Sequence, residues 1–185
     1  MQHSNELYIP PPSQRMRSEH LSIATPERRD LPALYDFLYE QGHYTALRLP
    51  KSHDFEHYSM IFDIGLLHGL FVVRALEDNA FLGVAGYHSI ETLPGWTGIL
   101  CAFPPEKRGH GHFQEAVLRL GAFALKWSEC TGIAAQIPEG NPAFERLLRS
   151  VGMNPIPDTA FPGYQTFGAT RAEALGWLVE HHFPL

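Results

Sequence analysis

Trp96-Thr97-Gly98-Ile99-Leu100-Cys101-Ala102-Phe103, followed by Pro104-Pro105-Glu106-Lys107-Arg108-Gly109-His110-Gly111-His112 and then Phe113 to Trp127, is the stretch that decides the fold. Its first part is an uncharged apolar run, which predicts a buried central strand. Two prolines end that strand, because neither can donate to a ladder. Beyond the glycines, Phe113, Ala116, Val117, Leu120, Ala124 and Trp127 recur at helical spacing and predict an amphipathic helix. A strand that turns through glycines into a helix N-terminus makes an anion-binding device. The first helical N–H groups are unpaired, the helix end carries partial positive charge, and glycine lets the backbone approach an anion closely. Lys107, Arg108, His110 and His112 add side-chain donors around the same turn, so the segment reads as a phosphate or pyrophosphate site.

The flanking sequence supplies a sheet. Upstream, Leu70–Ala75 and Phe81–Ile90 bracket the turn Glu77-Asp78-Asn79 and predict an antiparallel hairpin, and Leu93-Pro94-Gly95 turns the chain into the central strand. Further back, Leu21–Ala24 predicts a short strand. Thr25-Pro26 predicts the start of a helix bearing Leu31, Leu34, Tyr35 and Leu38 and ending at Gly42, and a second helix is expected over 53–66. Downstream, Ile133–Ile137 and Tyr164–Gly168 read as strands, and Asn141–Val151 as a helix closed by Gly152. Thr170-Arg171-Ala172-Glu173 is a capping box opening a last helix with Leu175, Leu178 and Val179. Phe113, Phe123, Trp127 and Phe144 are expected to pack in the core around the main helix. Residues 1–20, with Pro10-Pro11-Pro12, read as an arm, 21–170 as one α/β domain, and 171–185 as a C-terminal helix packed on the domain or on a partner subunit.

Composition narrows the function classes. The 185 residues are 44% hydrophobic and 18% charged, which is globular rather than disordered. A formal net charge of -6 argues against nucleic acid as a partner. Two cysteines imply no disulfide framework and favour a reducing compartment. The apolar stretch Leu66–Val73 is broken by His68 and Gly69, well short of a membrane span, and the N-terminus lacks a signal-like apolar run. A cytoplasmic protein without membrane contact is expected.

The text of the glycine turn resembles the pyrophosphate loop of the GNAT superfamily of acyl-CoA-dependent N-acyltransferases, which reads Arg or Gln, two residues, Gly, one residue, Gly or Ala. Arg108 and Gly111 match it, and Phe113 stands where a small residue is usual. Asn141 to Met153 resembles the next family signature, an Asn opening a helix and Gly152-Met153 at its end. The resemblance covers about 21–168 and implies a mixed, mostly antiparallel sheet, splayed at the cofactor site, with helices on both faces. It further implies acetyl-CoA as co-substrate, with Cys101, Phe103, Arg108, Gly109, His110, Gly111, His112, Phe113, Asn141 and Phe144 around it, and the backbone of Leu100–Phe103 pairing with the pantetheine arm. The reaction implied is attack of a small-molecule or peptide amine on the thioester.

Many members use a Glu on the central strand as base and a Tyr on the helix after Asn as acid. Here Trp96–Leu100 holds no carboxylate and the Tyr position is Leu148, so His88 and Glu91 are the residues nominated for proton transfer. Protonation of His110 and His112 is expected to tighten CoA binding below neutral pH. A catalytically inactive acyl-CoA-binding or partner-binding module of the same fold is the alternative, and a structural protein that never meets CoA a third. His53-Asp54-Phe55-Glu56-His57 matches a zinc-hydrolase pattern, H-x-x-E-H, but no third ligand accompanies it and no metal is expected. The acidic set Glu27, Asp30, Asp36 and Glu40 reads as a solvated face that would also attract a cationic amine. Trp177 and Phe183 offer an apolar tail that would suit a homodimer.

Overall fold

The computed structural model describes residues 15–42, 54–63, 69–157, 162–181 and 183. Eight strands form one mixed, mostly antiparallel sheet in the order β1-β2-β3-β4-β5-β6-β8-β7. The strands are β1 Met16–Arg17, β2 Leu21–Ala24, β3 Leu70–Ala75, β4 Phe81–Ser89, β5 Trp96–Ala102, β6 Gly132–Pro138, β7 Asn154–Pro155 and β8 Tyr164–Thr170. The helices are α1 Leu31–Tyr35, α2 Phe55–Asp63, α3 His112–Trp127, α4 Pro142–Ser150 and α5 Arg171–Glu180. This is the open α/β arrangement expected. The chain divides into two compact units, one of Ile9–Gly86 with Cys101–Phe113, the other of Tyr87–Leu100 with Gln114–Leu185.

In the first unit β1 to β4 pair antiparallel in chain order, as period-2 strands with short connections should. Met16, inside the segment read as an arm, pairs with Ile23 and is buried. The first helix starts later than Thr25-Pro26 suggests. Glu27 and Asp30 cap reciprocally, each carboxylate taking the other's backbone N–H, and a short 3-10 turn over Arg28–Asp30 leads into α1. Asp30 is therefore buried, and its carboxylate also pairs with Arg74 on β3, so it is no part of a solvated acidic face. Glu27 pairs with Arg29 at 3.0 Å and Arg15 at 3.6 Å. After α1 the chain runs as a π-helical turn over Asp36–Glu40 and leaves through Gly42 at φ 78°. Leu34, Phe37, Leu38, Tyr58, Phe71 and Val73 close this core, each fully buried apolar side chain contributing roughly 1.5–3 kcal/mol.

Within the second unit β6 is the pivot. It pairs antiparallel with β8 along its whole length but parallel with β5 only over Trp96–Gly98. Close packing here needs glycine: the Trp96 indole lies where a Cβ on Gly132 would stand, at 2.5 Å. α3 buries Ala116, Val117, Leu120, Phe123 and Ala124, while Trp127, expected in the core, is 48% exposed beside Lys126. The buried Tyr87 hydroxyl donates to the Leu120 carbonyl at 2.8 Å, tying β4 to α3. Arg171 donates to the carbonyls of Leu125, Ser128 and Cys130, satisfying and neutralising the C-terminal end of α3. Thr170 and Glu173 form the predicted capping box of α5. Ala174 and Leu178 bury its inner face, Val179 is 69% exposed, and Trp177 packs over Gly152 and stacks on His181.

Candidate active site

The end of β5 runs through Pro104 into a 3-10 turn over Pro105–Lys107, then Arg108, Gly109, His110 and Gly111, and α3 begins at His112. Gly109 and Gly111 adopt φ 90° and 78°, a left-handed backbone that a Cβ disfavours. A Cβ placed on either would meet nothing within 4 Å, so the cost of substitution lies in the backbone and the space above each glycine is open. Arg108 is exposed, and its Nε donates to the Phe103 carbonyl at 3.0 Å. That bond anchors the guanidinium to the strand end and leaves both terminal nitrogens without a partner among the described residues. At the N-terminus of α3, His112 Nδ1 is buried and has no hydrogen-bond partner among the described residues. An anchored arginine, two left-handed glycines under open space and an orphaned imidazole nitrogen at a sixteen-residue helix's N-terminus fit a phosphate-bearing ligand.

Phe113 does not crowd this space. Its half-buried ring packs against buried Phe103 edge to face, with centroids 5.7 Å apart. Lys107, His110 and His112 line a cavity of about 570 Å³ together with Glu19, Glu77, Asp78 and Glu106. Burial pushes the Cys101 thiol up, which keeps it protonated and unsuited to nucleophilic chemistry.

Family-model comparison matches residues 20–154 to the acetyltransferase (GNAT) domain. The chain belongs to the GNAT acetyltransferase family. Solved structures agree in fold. A GNAT-family acetyltransferase from Bacillus anthracis superposes with a TM-score of 0.70 at 16% identity, covering 86% of this chain and 100% of that one. A spermidine N-acetyltransferase from Vibrio cholerae, in complex with CoA and spermine, gives 0.69 at 14% identity, covering 85% and 99%. A ribosomal-protein-S5-alanine acetyltransferase from Vibrio fischeri gives 0.67 at 17%, covering 86% and 97%. No curated protein matches the sequence.

On the GNAT fold the remaining nominees find definite places. Parallel pairing of β5 with β6 stops at Gly98↔Ala134, so beyond Gly98 the β5 backbone is free of β6. His88 lies against that last paired residue: a Cβ on Gly98 would stand 2.5–2.7 Å from three atoms of the imidazole. The half-buried His88 thus marks the point where the strands part, while Glu91 is exposed in the following turn. Asn141 caps α4, its Oδ1 accepting from the Phe144 amide at 3.2 Å, which is the structural role its place in the signature requires. Leu148 is buried on α4, so this helix supplies no phenol there.

His53 of the H-x-x-E-H pattern lies outside the described residues. Asp54 instead caps α2, accepting from the His57 amide at 2.8 Å, and no cluster of metal-ligating side chains occurs among the described residues. No described helix is long and apolar enough to cross a membrane.

Sequence reasoning missed an aromatic cluster on α1, its π-helical turn and α2. Tyr35 lies 5.5 Å from Tyr39, 5.5 Å from Phe55 and 5.7 Å from Tyr58, and Tyr39 lies 5.3 Å from Tyr58, centroid to centroid. Desolvation, followed by the nearby Glu40 and Asp54 carboxylates, raises the Tyr35 phenol above its ordinary value. Tyr35 and Tyr39 stand one helical turn apart, as do Phe55 and Tyr58, a pairing of spacings that would have pointed to facing helices.

Proposed function

We propose that this protein is an N-acetyltransferase that moves an acetyl group from acetyl-CoA to an amine. The observation that carries the reading is the loop between β5 and α3, where Arg108 is fastened by its Nε with its terminal nitrogens free, beside two left-handed glycines. In this reading Arg108 and the backbone N–H groups around Gly109 and Gly111 hold the pyrophosphate, and Cys101 and Phe103 contribute backbone groups to the pantetheine arm. The amine nitrogen attacks the thioester carbonyl carbon, the C–N bond forms, and the tetrahedral intermediate collapses with cleavage of the C–S bond. His88, directly or through water, takes the proton lost by the nitrogen, and the departing thiolate is protonated to CoA.

An inactive acyl-CoA binder is the second reading, favoured by the buried Leu148 and a β5 without carboxylates. Release of CoA thiol from acetyl-CoA across a panel of primary amines separates the two. Turnover that falls at least tenfold in His88→Gln supports the transferase, whereas acetyl-CoA binding with no turnover on any amine supports the binder.

A further inference from the structure

We propose that Gly83 on β4 is a positioning residue for the β5–α3 loop: it lets the end of β5 settle where the Phe103 carbonyl can hold the Arg108 guanidinium against a phosphate. This role rests on the acetyltransfer reading and adds to the acyl-CoA site a residue on a different strand from the loop.

β4 is irregular at this point. Val73 pairs with Gly83 but Arg74 pairs with Phe81, so Leu82 is an extra residue and the ladder bulges. Gly83 follows at φ 151°, a backbone angle that L side chains rarely adopt. It is buried, and a Cβ there would overlap the Ala102 carbonyl oxygen and stand 2.6 Å from Phe103 Cδ1 and 3.1 Å from Phe103 Cα. Two of those three atoms are backbone, so no change of rotamer relieves the overlap and the strand end itself must move. What moves with it is the anchor of the loop, because the Phe103 carbonyl accepts from Arg108 Nε at 3.0 Å. The Phe103 ring is held in its turn by Phe113 in the first turn of α3, with centroids 5.7 Å apart. Ala80 and Leu82 line the same cavity as Lys107, His110 and His112, so the bulge and the loop are neighbours in space. Glycine inside a strand costs backbone entropy and packs no side chain, and a bulge re-aims whatever it borders. Here the two together border the strand end that fastens Arg108. The direction of the terminal guanidinium nitrogens follows from that single Nε bond, so a displaced Phe103 carbonyl turns them away from a bound phosphate.

The test is a double-mutant cycle on the full-length protein, with acetyl-CoA titrated by calorimetry into wild type, Gly83→Ala, Arg108→Met and the double variant. Arg108→Met keeps most of the side-chain stem and removes every donor. Gly83→Ala should weaken acetyl-CoA about tenfold in the wild-type background and by less than about twofold in the Arg108→Met background. A glycine that merely fills a structural role would weaken both backgrounds alike, or neither. Deletion of Leu82 removes the bulge without adding a Cβ, so it replaces Gly83→Ala if that variant does not fold, and it should show the same dependence on Arg108. In nitrogen-15 NMR without acetyl-CoA, the Arg108 Nε–H should exchange with water faster in either variant than in wild type, because its bond to the Phe103 carbonyl is lost. The proposal is overturned if the loss of affinity is equal with and without Arg108, if there is no loss, or if the Nε–H signal is unchanged in both variants. The NMR readout needs no acetyl-CoA, so a wild type that fails to bind acetyl-CoA ends the acyl-CoA reading, whereas an unchanged Nε–H signal ends the role of Gly83.

Discussion

Single residues hold the site by contacts that leave little room for substitution. The His88 imidazole occupies the space above Gly98, so Gly98→Ala must displace it. The expected outcome is a drop in turnover of at least tenfold in a thiol-release assay, with acetyl-CoA affinity within a factor of two of wild type. An unchanged rate would remove His88 from proton transfer. Asp30 is a comparable case for stability. It is 4% exposed, accepts the Glu27 amide at 2.7 Å and pairs with Arg74, which also donates to the Asn79 carbonyl at 2.9 Å. Asp30→Ala removes the buried carboxylate that accepts the Glu27 amide and pairs with the half-buried Arg74 guanidinium, and should cost about 1–3 kcal/mol, read as a fall in Tm or in the urea midpoint.

At the scale of elements, the main helix and the hairpin were legible because their hydrophobic periods are long and uninterrupted. The loop was legible because its residue types and spacing carry a chemistry of their own. Other elements left no such trace. β1 and β7 are two residues each and exist only through their partners. The start of the first helix shifted because the reciprocal Glu27–Asp30 cap outcompetes Thr25, and the π-helical turn leaves no periodic signature. The tyrosine cluster depends on two helices facing each other, a tertiary fact. Phe113 stands where the family has a small residue and was expected to pack inward; its half-buried ring packs on Phe103. Phe113→Gly should therefore lower stability by about 1–3 kcal/mol, through lost ring contact and a glycine in the first turn of α3, without tightening acetyl-CoA. Tighter binding in that variant would mean that the ring does obstruct the ligand.

The capping box of α5 gives an element-scale prediction in pH. Hydrogen bonds from the Thr170 hydroxyl and N–H hold the Glu173 carboxyl below the usual carboxylate range. A group whose folded value is depressed stabilises the fold above its unfolded value and loses that contribution as pH falls through the folded one. Thermal melts of wild type and Glu173→Gln should therefore differ at neutral pH and converge as acid protonates Glu173. A difference independent of pH would contradict the charge-dependent cap.

For the whole molecule, the central claim is that a GNAT fold has kept its acyl-CoA site although the proton-transfer residues common in the family are replaced. A ligand that binds only the folded state stabilises it by mass action, roughly 2.7 kcal/mol at one hundred times Kd, so saturating acetyl-CoA should raise Tm by several degrees. The most direct measurement is a calorimetric titration of the purified protein with acetyl-CoA, run beside Arg108→Glu, which places a repelling carboxylate where the anchored guanidinium stands. Saturable micromolar binding to wild type and none to Arg108→Glu is the predicted result. Equal affinity in the two proteins, or no binding to either, would contradict the claim.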